Sequence, residues 1–430
     1  MAGVREIAWS VLNKCEAAGQ YSNIALDSAI KRADLGDADR GLLTALVYGT
    51  LERRLTLDAA IDALASRGDI APDLRILLRM GIYQLAYLDR VPDHAAVNEC
   101  VALAPKKAKG FVNAILREFV RGGKKIPCPE KEADPIRYLS VRYSVCAPLC
   151  ERFVAEFGLV RAEEILAAFG RQPSSSLRVN VLRISRDALL ERLHAQGIAA
   201  EPILASACGI RVTDKIPVTA LYGFDEGLFF VQDEASQLCV EALDARPSMR
   251  VLDACACPGS KSFGAAIDME NLGEVIACDL HENKLSLVKS GAERLGISII
   301  QTHARDARIK NAEWVGQFDR VLCDVPCSGF GVFAKKPELR YKDMEKCLGL
   351  PKIQREILEN ACRYVKDGGI LVYSTCTLLP AENEENVNAF LASHPAFSCL
   401  RMRTLYPDTD GSDGFFFAVL KKNYQGLNRA

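Results

Sequence analysis

The chain has 430 residues, 49% of them hydrophobic and 25% charged, with a formal net charge of −1. That length predicts two to three domains rather than one core, and the balanced charge does not by itself announce a polyanionic partner. No apolar run approaches the roughly 18 residues that span a bilayer, and the opening Met1-Ala-Gly-Val-Arg-Glu lacks a secretion pattern, so a cytoplasmic protein without a membrane partner is expected.

In a reducing compartment the 16 cysteines are thiols rather than staples. They include no Cys-x-x-Cys pair, and the five histidines are scattered, so no metal site is expected. Most of these thiols read as small buried hydrophobes.

Residues 1–125 read as a helical domain. Leu43, Leu46, Val47, Leu51 and Leu55 form one helical stripe within 38–65, and Leu74, Leu77, Leu78, Ile82, Leu85 and Leu88 form another within 72–88. Pro72 suits a first turn, Pro92 breaks the pattern, and 95–103 and 110–119 resume it. His94 and Asn98 share a face and read as a cap or a core contact. Between Lys106 and Lys125 stand seven basic residues and one acid, Glu118, either a solvated face or a phosphate-facing patch.

The cluster Gly122-Gly-Lys-Lys-Ile-Pro-Cys-Pro marks a boundary. Residues 136–232 then read as a small α+β module: a helix over 149–169, strands near 176–181, 210–212 and 229–231, and a helix over 187–196 ended by Gly197. Arg178 and Arg183 read as phosphate contacts or strand-edge charges.

Residues 233–425 alternate strands and helices, the pattern of a doubly wound α/β domain. Strands are expected over 250–254, 274–278, 298–303, 319–324, 369–374 and 415–420. Carboxylates fall at the ends of the first three: Asp253, Asp279 and Asp306. The first strand runs into Cys255, Ala256, Cys257, Pro258, Gly259, Ser260 and Lys261, a turn whose backbone N–H groups and following helix suit a ligand. Asp279, 20 residues after Gly259, suits ribose hydroxyls. The turn is not G-x-G-x-x-G, so S-adenosyl-L-methionine fits better than a dinucleotide, with Asp306 near the adenine amine.

Two further strands each end in a cysteine, Cys327 after Asp324 and Pro326, and Cys376 after Thr375. Carbon 5 of a pyrimidine is a poor nucleophile, and a thiolate adding to carbon 6 makes it reactive. An acid near N3 then stabilises the charge that develops on the ring. Two thiols and one aspartate at neighbouring strand ends supply those parts. A non-catalytic RNA-binding assembly factor and a DNA cytosine-5 enzyme remain as competing readings.

The motifs 253–261, Cys323-Asp-Val-Pro-Cys-Ser-Gly329, Lys336-Pro-Glu-Leu-Arg340, Tyr373-Ser-Thr-Cys-Thr377 with Asn383-Glu-Glu-Asn386, and Asp413-Gly-Phe-Phe-Phe417 resemble the Nol/Nop/Sun family of RNA cytosine-5 methyltransferases. Val231-Gln-Asp-Glu-Ala-Ser-Gln237 and Leu177-Arg-Val-Asn180 resemble its entry segments. Arg40-Gly-Leu-Leu, Tyr48-Gly-Thr-Leu51 and Phe111-Val-Asn-Ala-Ile-Leu-Arg117 are similar to a NusB-type RNA-binding domain.

The resemblance implies a NusB-like bundle, an α+β module that binds or links RNA, and a Rossmann-like methyltransferase domain. It implies Cys376 as nucleophile, Cys327 assisting product release, and Asp324 touching both the base and the methionine end of adenosylmethionine. Cys255 to Lys261, Asp279 and Asp306 would hold that cofactor, with Lys261 orienting Asp324. The expected partner is RNA, small-subunit rRNA above all, with no DNA, and the chain is expected to be a monomer. Two positions depart from the family pattern: Ser260 replaces a glycine of the cofactor turn, and Phe330 follows the Cys-Ser-Gly of the second motif, beside the expected base pocket.

Overall fold

The computed structural model describes residues 3–65, 69–171, 174–214 and 216–424. Met1, Ala2 and residue 425, at the outer ends of the expected domains, lie outside the described residues. The chain divides into two units, 1–171 with 333–344, and 172–332 with 345–430.

The first unit is helical: α1 (Val4–Ala18), α2 (Ser22–Arg32), α3 (Asp37–Glu52), α4 (Arg54–Leu64), α5 (Pro72–Tyr87), α6 (Asp93–Leu103), α7 (Lys109–Arg121), α8 (Pro135–Tyr143), α9 (Ala147–Phe157) and α10 (Leu159–Ala168). The stripes expected from the sequence form its core, with Leu43, Leu46, Val47, Leu77, Leu78 and Ile82 fully buried. Pro72 opens α5, where its missing N–H costs nothing.

Two single-helix expectations are corrected. Residues 38–65 break at Arg53, whose backbone leaves helical geometry, and 149–169 break at Gly158. The Lys336–Arg340 motif also belongs to this unit. Its 3₁₀ turn, Pro337–Tyr341, is held by the buried Arg340, which donates to the carbonyls of Tyr143 (2.9 Å) and Phe169 (3.0 Å). Tyr341 Oη donates to Leu51 O (2.6 Å) and Ser22 Oγ to Glu338 (2.9 Å).

The second unit contains two sheets. The smaller combines β1 (Ser175–Val179), α11 (Arg186–Ala195), β2 (Ala200–Pro202), β3 (Gly209–Val212) and β4 (Phe229–Val231) in an antiparallel sheet of order β2-β3-β1-β4. Leu189 and Leu193 of α11 pack with Leu177, Val179 and Phe229 on one face.

The larger sheet belongs to α12 (Glu234–Leu243), β5 (Arg250–Asp253), α13 (Ser260–Asp268), β6 (Glu274–Asp279), α14 (Glu282–Leu295), β7 (Ile300–Ala304), β8 (Phe318–Asp324), α15 (Leu350–Ala361), β9 (Val365–Thr375), α16 (Glu384–Ser393), β10 (Phe397–Leu405) and β11 (Phe415–Lys422). Its order is β10-β11-β9-β8-β5-β6-β7, parallel except for β10 and β11.

Alternate residues feed two separate apolar layers. Val251, Val275 and Leu322 pack into one, and Leu252, Ile276 and Val321 into the other. That alternation is what a sheet covered on both faces requires.

Arg178 is not a surface phosphate contact. It is fully buried and its guanidinium donates to Asp268 on α13 at 2.6 Å, so the pair ties the small sheet to the helix behind the cofactor turn.

Candidate active site

The chain winds outward from β5 through β6 to β7, then returns to place β8 on the other side of β5. The carboxyl ends of β5 and β8 therefore flank the topological switch point, where open α/β sheets hold ligands. Two of the sequence-predicted residues, Lys261 and Asp324, meet there with Ser374, which the sequence had not singled out. Lys261 Nζ, buried at the start of α13, donates to Asp324 Oδ2 at 2.7 Å, and Ser374 Oγ donates to Asp324 Oδ1 at 2.8 Å. Burial alone would lower the Lys261 ammonium, but the Asp324 charge outweighs it and the lysine is raised. Lys261 also lies 5.2 Å from the centre of the Phe415 ring.

Register brings the two thiols together. Asp324 pairs with Ser374 across β8 and β9, so Cys327 and Cys376, three and two residues further on, leave neighbouring strands at the same edge. Their sulfurs stand 3.2 Å apart, and the Cys376 N–H points at Cys327 Sγ (3.3 Å). The contact with Cys376, then burial and the negative charge of Glu382, raise Cys327 well above the usual thiol range. The Gly331 N–H donates to Cys376 O (2.9 Å) and the Gly414 N–H to Gly331 O (2.8 Å). A Cβ on Gly331 would collide with the Gly414 carbonyl, so only glycine allows this close approach. Phe330 is fully buried.

The turn 255–261 curls over the ends of β5 and β6. Gly259 takes φ +113°, and a Cβ there would strike the Phe263 ring, so the position demands glycine. Ser260 opens α13, and its carbonyl accepts from Gln232 Nε2 (3.0 Å). Asp279 accepts from the amides of Cys257 (3.3 Å) and His281 (2.9 Å). Asp306 is forked by Arg308 at 2.6–3.2 Å, whose hydrogen bonds hold its carboxyl below the usual range. Burial raises the Cys257 thiol to about 12 and takes Cys255 well above the ordinary range; both are inert as nucleophiles at neutral pH.

The cradle suits a nucleoside cofactor: a positive-φ glycine, a helix N-terminus and a half-exposed ribose-type carboxylate. Among the described residues no cluster of His, Cys, Asp and Glu has metal-holding geometry.

Asp253 plays a part that sequence spacing did not reveal. It is buried, accepting from Ser262 Oγ (2.7 Å) and the Cys255 amide (3.4 Å). Burial, with Asp324 adding to it, raises its carboxyl to about 7. A carboxyl raised on folding lends stability that is full below the unfolded value of about 3.9 and is lost as pH rises through about 7. Asp253→Asn is therefore expected to flatten the fall in melting temperature between pH 5 and 8. Parallel curves for wild type and variant would show that Asp253 does not titrate in this way.

A doubly wound sheet with such a turn and carboxylates at the switch point, preceded by a helical bundle, defines a Rossmann-like methyltransferase with a NusB-like N-terminal region. The 16S rRNA methyltransferase RsmB/F family matches residues 240–421, the NusB family residues 3–121, and the RsmF/B-like ferredoxin-like domain residues 148–219. The probable ribosomal RNA small subunit methyltransferase B of Bacillus subtilis (strain 168) is 38% identical, with 97% of this chain and 98% of the relative covered. That of Synechocystis sp. is 35% identical over 98% and 100% of the two chains. The solved structure of PH0851 shares the fold over 98% of this chain and 99% of its own, with a TM-score of 0.83 at 24% identity. The chain belongs to the ribosomal RNA small subunit methyltransferase B family.

Proposed function

We propose that the protein transfers a methyl group from S-adenosylmethionine to carbon 5 of a cytosine in small-subunit rRNA, acting as a cytoplasmic monomer. The observation that carries this reading is the pair of sulfurs 3.2 Å apart at the ends of adjacent strands, beside the Asp324–Lys261 pair and the glycine turn. The cytosine must be unpaired or turned out of its stack, because the ring face has to be reached.

When bound, adenosylmethionine supplies an electrophilic methyl group on sulfur, and residues 255–261, Asp279 and Asp306 are the set that would hold it. Cys376 gives its proton to solvent and its sulfur bonds to carbon 6, which would ready carbon 5 for the methyl that the cofactor supplies. The carbon-5 proton then passes to solvent, the carbon 5–carbon 6 double bond re-forms and Cys376 departs as thiolate. Cys327 assists this last step. Asp324, fixed by Lys261 and Ser374, faces the base and the cofactor's methionine end. The test is methyl transfer to naked small-subunit rRNA, with the product mapped to carbon 5. Binding of both ligands without transfer would favour a different RNA substrate, such as tRNA, or a non-catalytic assembly factor.

The domain assignments follow: 1–125 binds RNA, 136–232 links or binds it, and 233–425 is catalytic. Lys106, Lys107, Lys109, Arg117 and Arg121 are all exposed. Arg117 and Arg121 line a cavity with His94, Asn98 and Asn113, so α6 and α7 together offer cations and amides to a nucleic-acid strand. Replacing Lys106, Lys107 and Lys109 by glutamate is expected to weaken rRNA binding and to lower the salt slope by about one for each phosphate no longer neutralised. Unchanged affinity and slope would remove the basic stretch from the interface.

A further inference from the structure

Glu382 lies just past the Thr375-Cys376 loop and is buried (2% exposed). Among the described residues it makes no ion pair, and a carboxylate in that position is costly unless its hydrogen bonds are well met. They are. Its Oε2 accepts from the backbone N–H of Ser328 (2.9 Å) and from Gln354 Nε2 (2.7 Å). Gln354 Nε2 also donates to the carbonyl of Pro326 (3.0 Å). The peptide groups before and after Cys327 are thus both fixed by one carboxylate–amide pair. The backbone of Glu382 is anchored in turn, since its carbonyl accepts from Tyr373 Oη on β9 (2.6 Å). Ser328 Oγ donates to Thr377 Oγ1 (2.7 Å), and Thr375 Oγ1 to Asn383 Oδ1 (2.6 Å). Both cysteine loops are therefore tied to the turn that carries Glu382.

We infer that Glu382, with Gln354, is a positioning residue for Cys327, holding that thiol where it releases the methylated base from Cys376. The inference rests on the two-thiol reading above. The Glu382 carboxylate bonds the Cys327 loop and Gln354, so its side chain bears on release, while its contact with the Cys376 strand runs through its backbone carbonyl and survives a side-chain substitution. A residue that merely supported the fold would affect both steps together.

The experiment is single-turnover methylation of unmodified small-subunit rRNA by the full chain, following methyl transfer and the covalent protein–RNA adduct on denaturing gels. Variants are Cys327→Ala, Glu382→Ala, Glu382→Gln and Gln354→Met. Glu382→Ala is expected to leave the first methyl transfer within about threefold of wild type and to slow release on the order of 100-fold, the effect of misplacing a reacting group by about an ångström. Adduct then accumulates as in Cys327→Ala. Glu382→Gln keeps an acceptor for the Ser328 amide and is expected to restore most of the release.

If Cys327→Ala traps adduct and Glu382→Ala does not, the inference alone fails. It also fails if attack and release fall together without adduct. If Cys327→Ala itself traps nothing, the role of Cys327 falls and this inference with it. Should Glu382→Ala not fold, Gln354→Met decides by the same readout.

Discussion

Cys376→Ala is expected to abolish methyl transfer to rRNA, by on the order of 10⁴-fold or more, as loss of an attacking nucleophile does. Cys327→Ala is expected to complete transfer once and then remain bonded to its substrate. The two sulfurs are nearly equivalent in position, 3.2 Å apart, so geometry alone does not say which one attacks. What separates them is environment. Cys327 is held on both sides by hydrogen-bonded peptides, and the contact with Cys376, burial and then Glu382 all oppose its ionisation. A thiol so held is suited to a later step rather than to opening the attack. The measurement is gel retardation of labelled RNA under denaturing conditions for each single variant and the double. Adduct in Cys376→Ala and none in Cys327→Ala would reverse the roles, as in the DNA cytosine-5 reading. No adduct in either would remove the covalent mechanism.

How much of this site was visible in the chain depends on how local its causes are. Cys327 and Cys376 could be placed together because each follows a short apolar strand, and parallel neighbours deliver their ends to one edge. The glycine turn was equally local: Gly259 needs positive φ whatever surrounds it. Arg178 could not be read, since its partner Asp268 lies 90 residues on, and a strand arginine looks the same whether it faces solvent or a carboxylate. Glu382 and Gln354 escaped for the same reason. Glu382 bonds an amide 54 residues away and a side chain 28 residues away, and only the folded sheet defines that meeting. The motif at 336–340 was misleading in its company. Its sequence sits between catalytic segments, yet the buried Arg340 and its neighbour Tyr341 donate to carbonyls of the helical unit. The Arg308–Asp306 fork, by contrast, was within reach of the sequence, because residues two apart around a turn often pair.

Lys261→Met is expected to be the most destabilising change at the site that leaves both thiols intact. The ammonium is buried against Asp324, whose other oxygen, among the described residues, takes the Ser374 hydroxyl. Removing the lysine leaves a carboxylate with one neutral donor in a poorly solvated place. Breaking one partner of such a pair costs about 3–5 kcal/mol when burial is complete, and Asp324 keeps some exposure, so the lower end is expected. The lysine is raised on folding, so its contribution is present throughout the neutral range and is lost only when strongly alkaline solution deprotonates it. Arginine is not a substitute, since a planar fork does not fit where a single Nζ points. Denaturant melts of wild type, Lys261→Met, Asp324→Asn and the double variant give the coupling between the two residues. A double variant clearly more stable than Lys261→Met would show that the stranded carboxylate, rather than reduced packing, carries the cost. Strictly additive losses would mean that the pair positions Asp324 without stabilising the fold, and would confine its role to the chemistry.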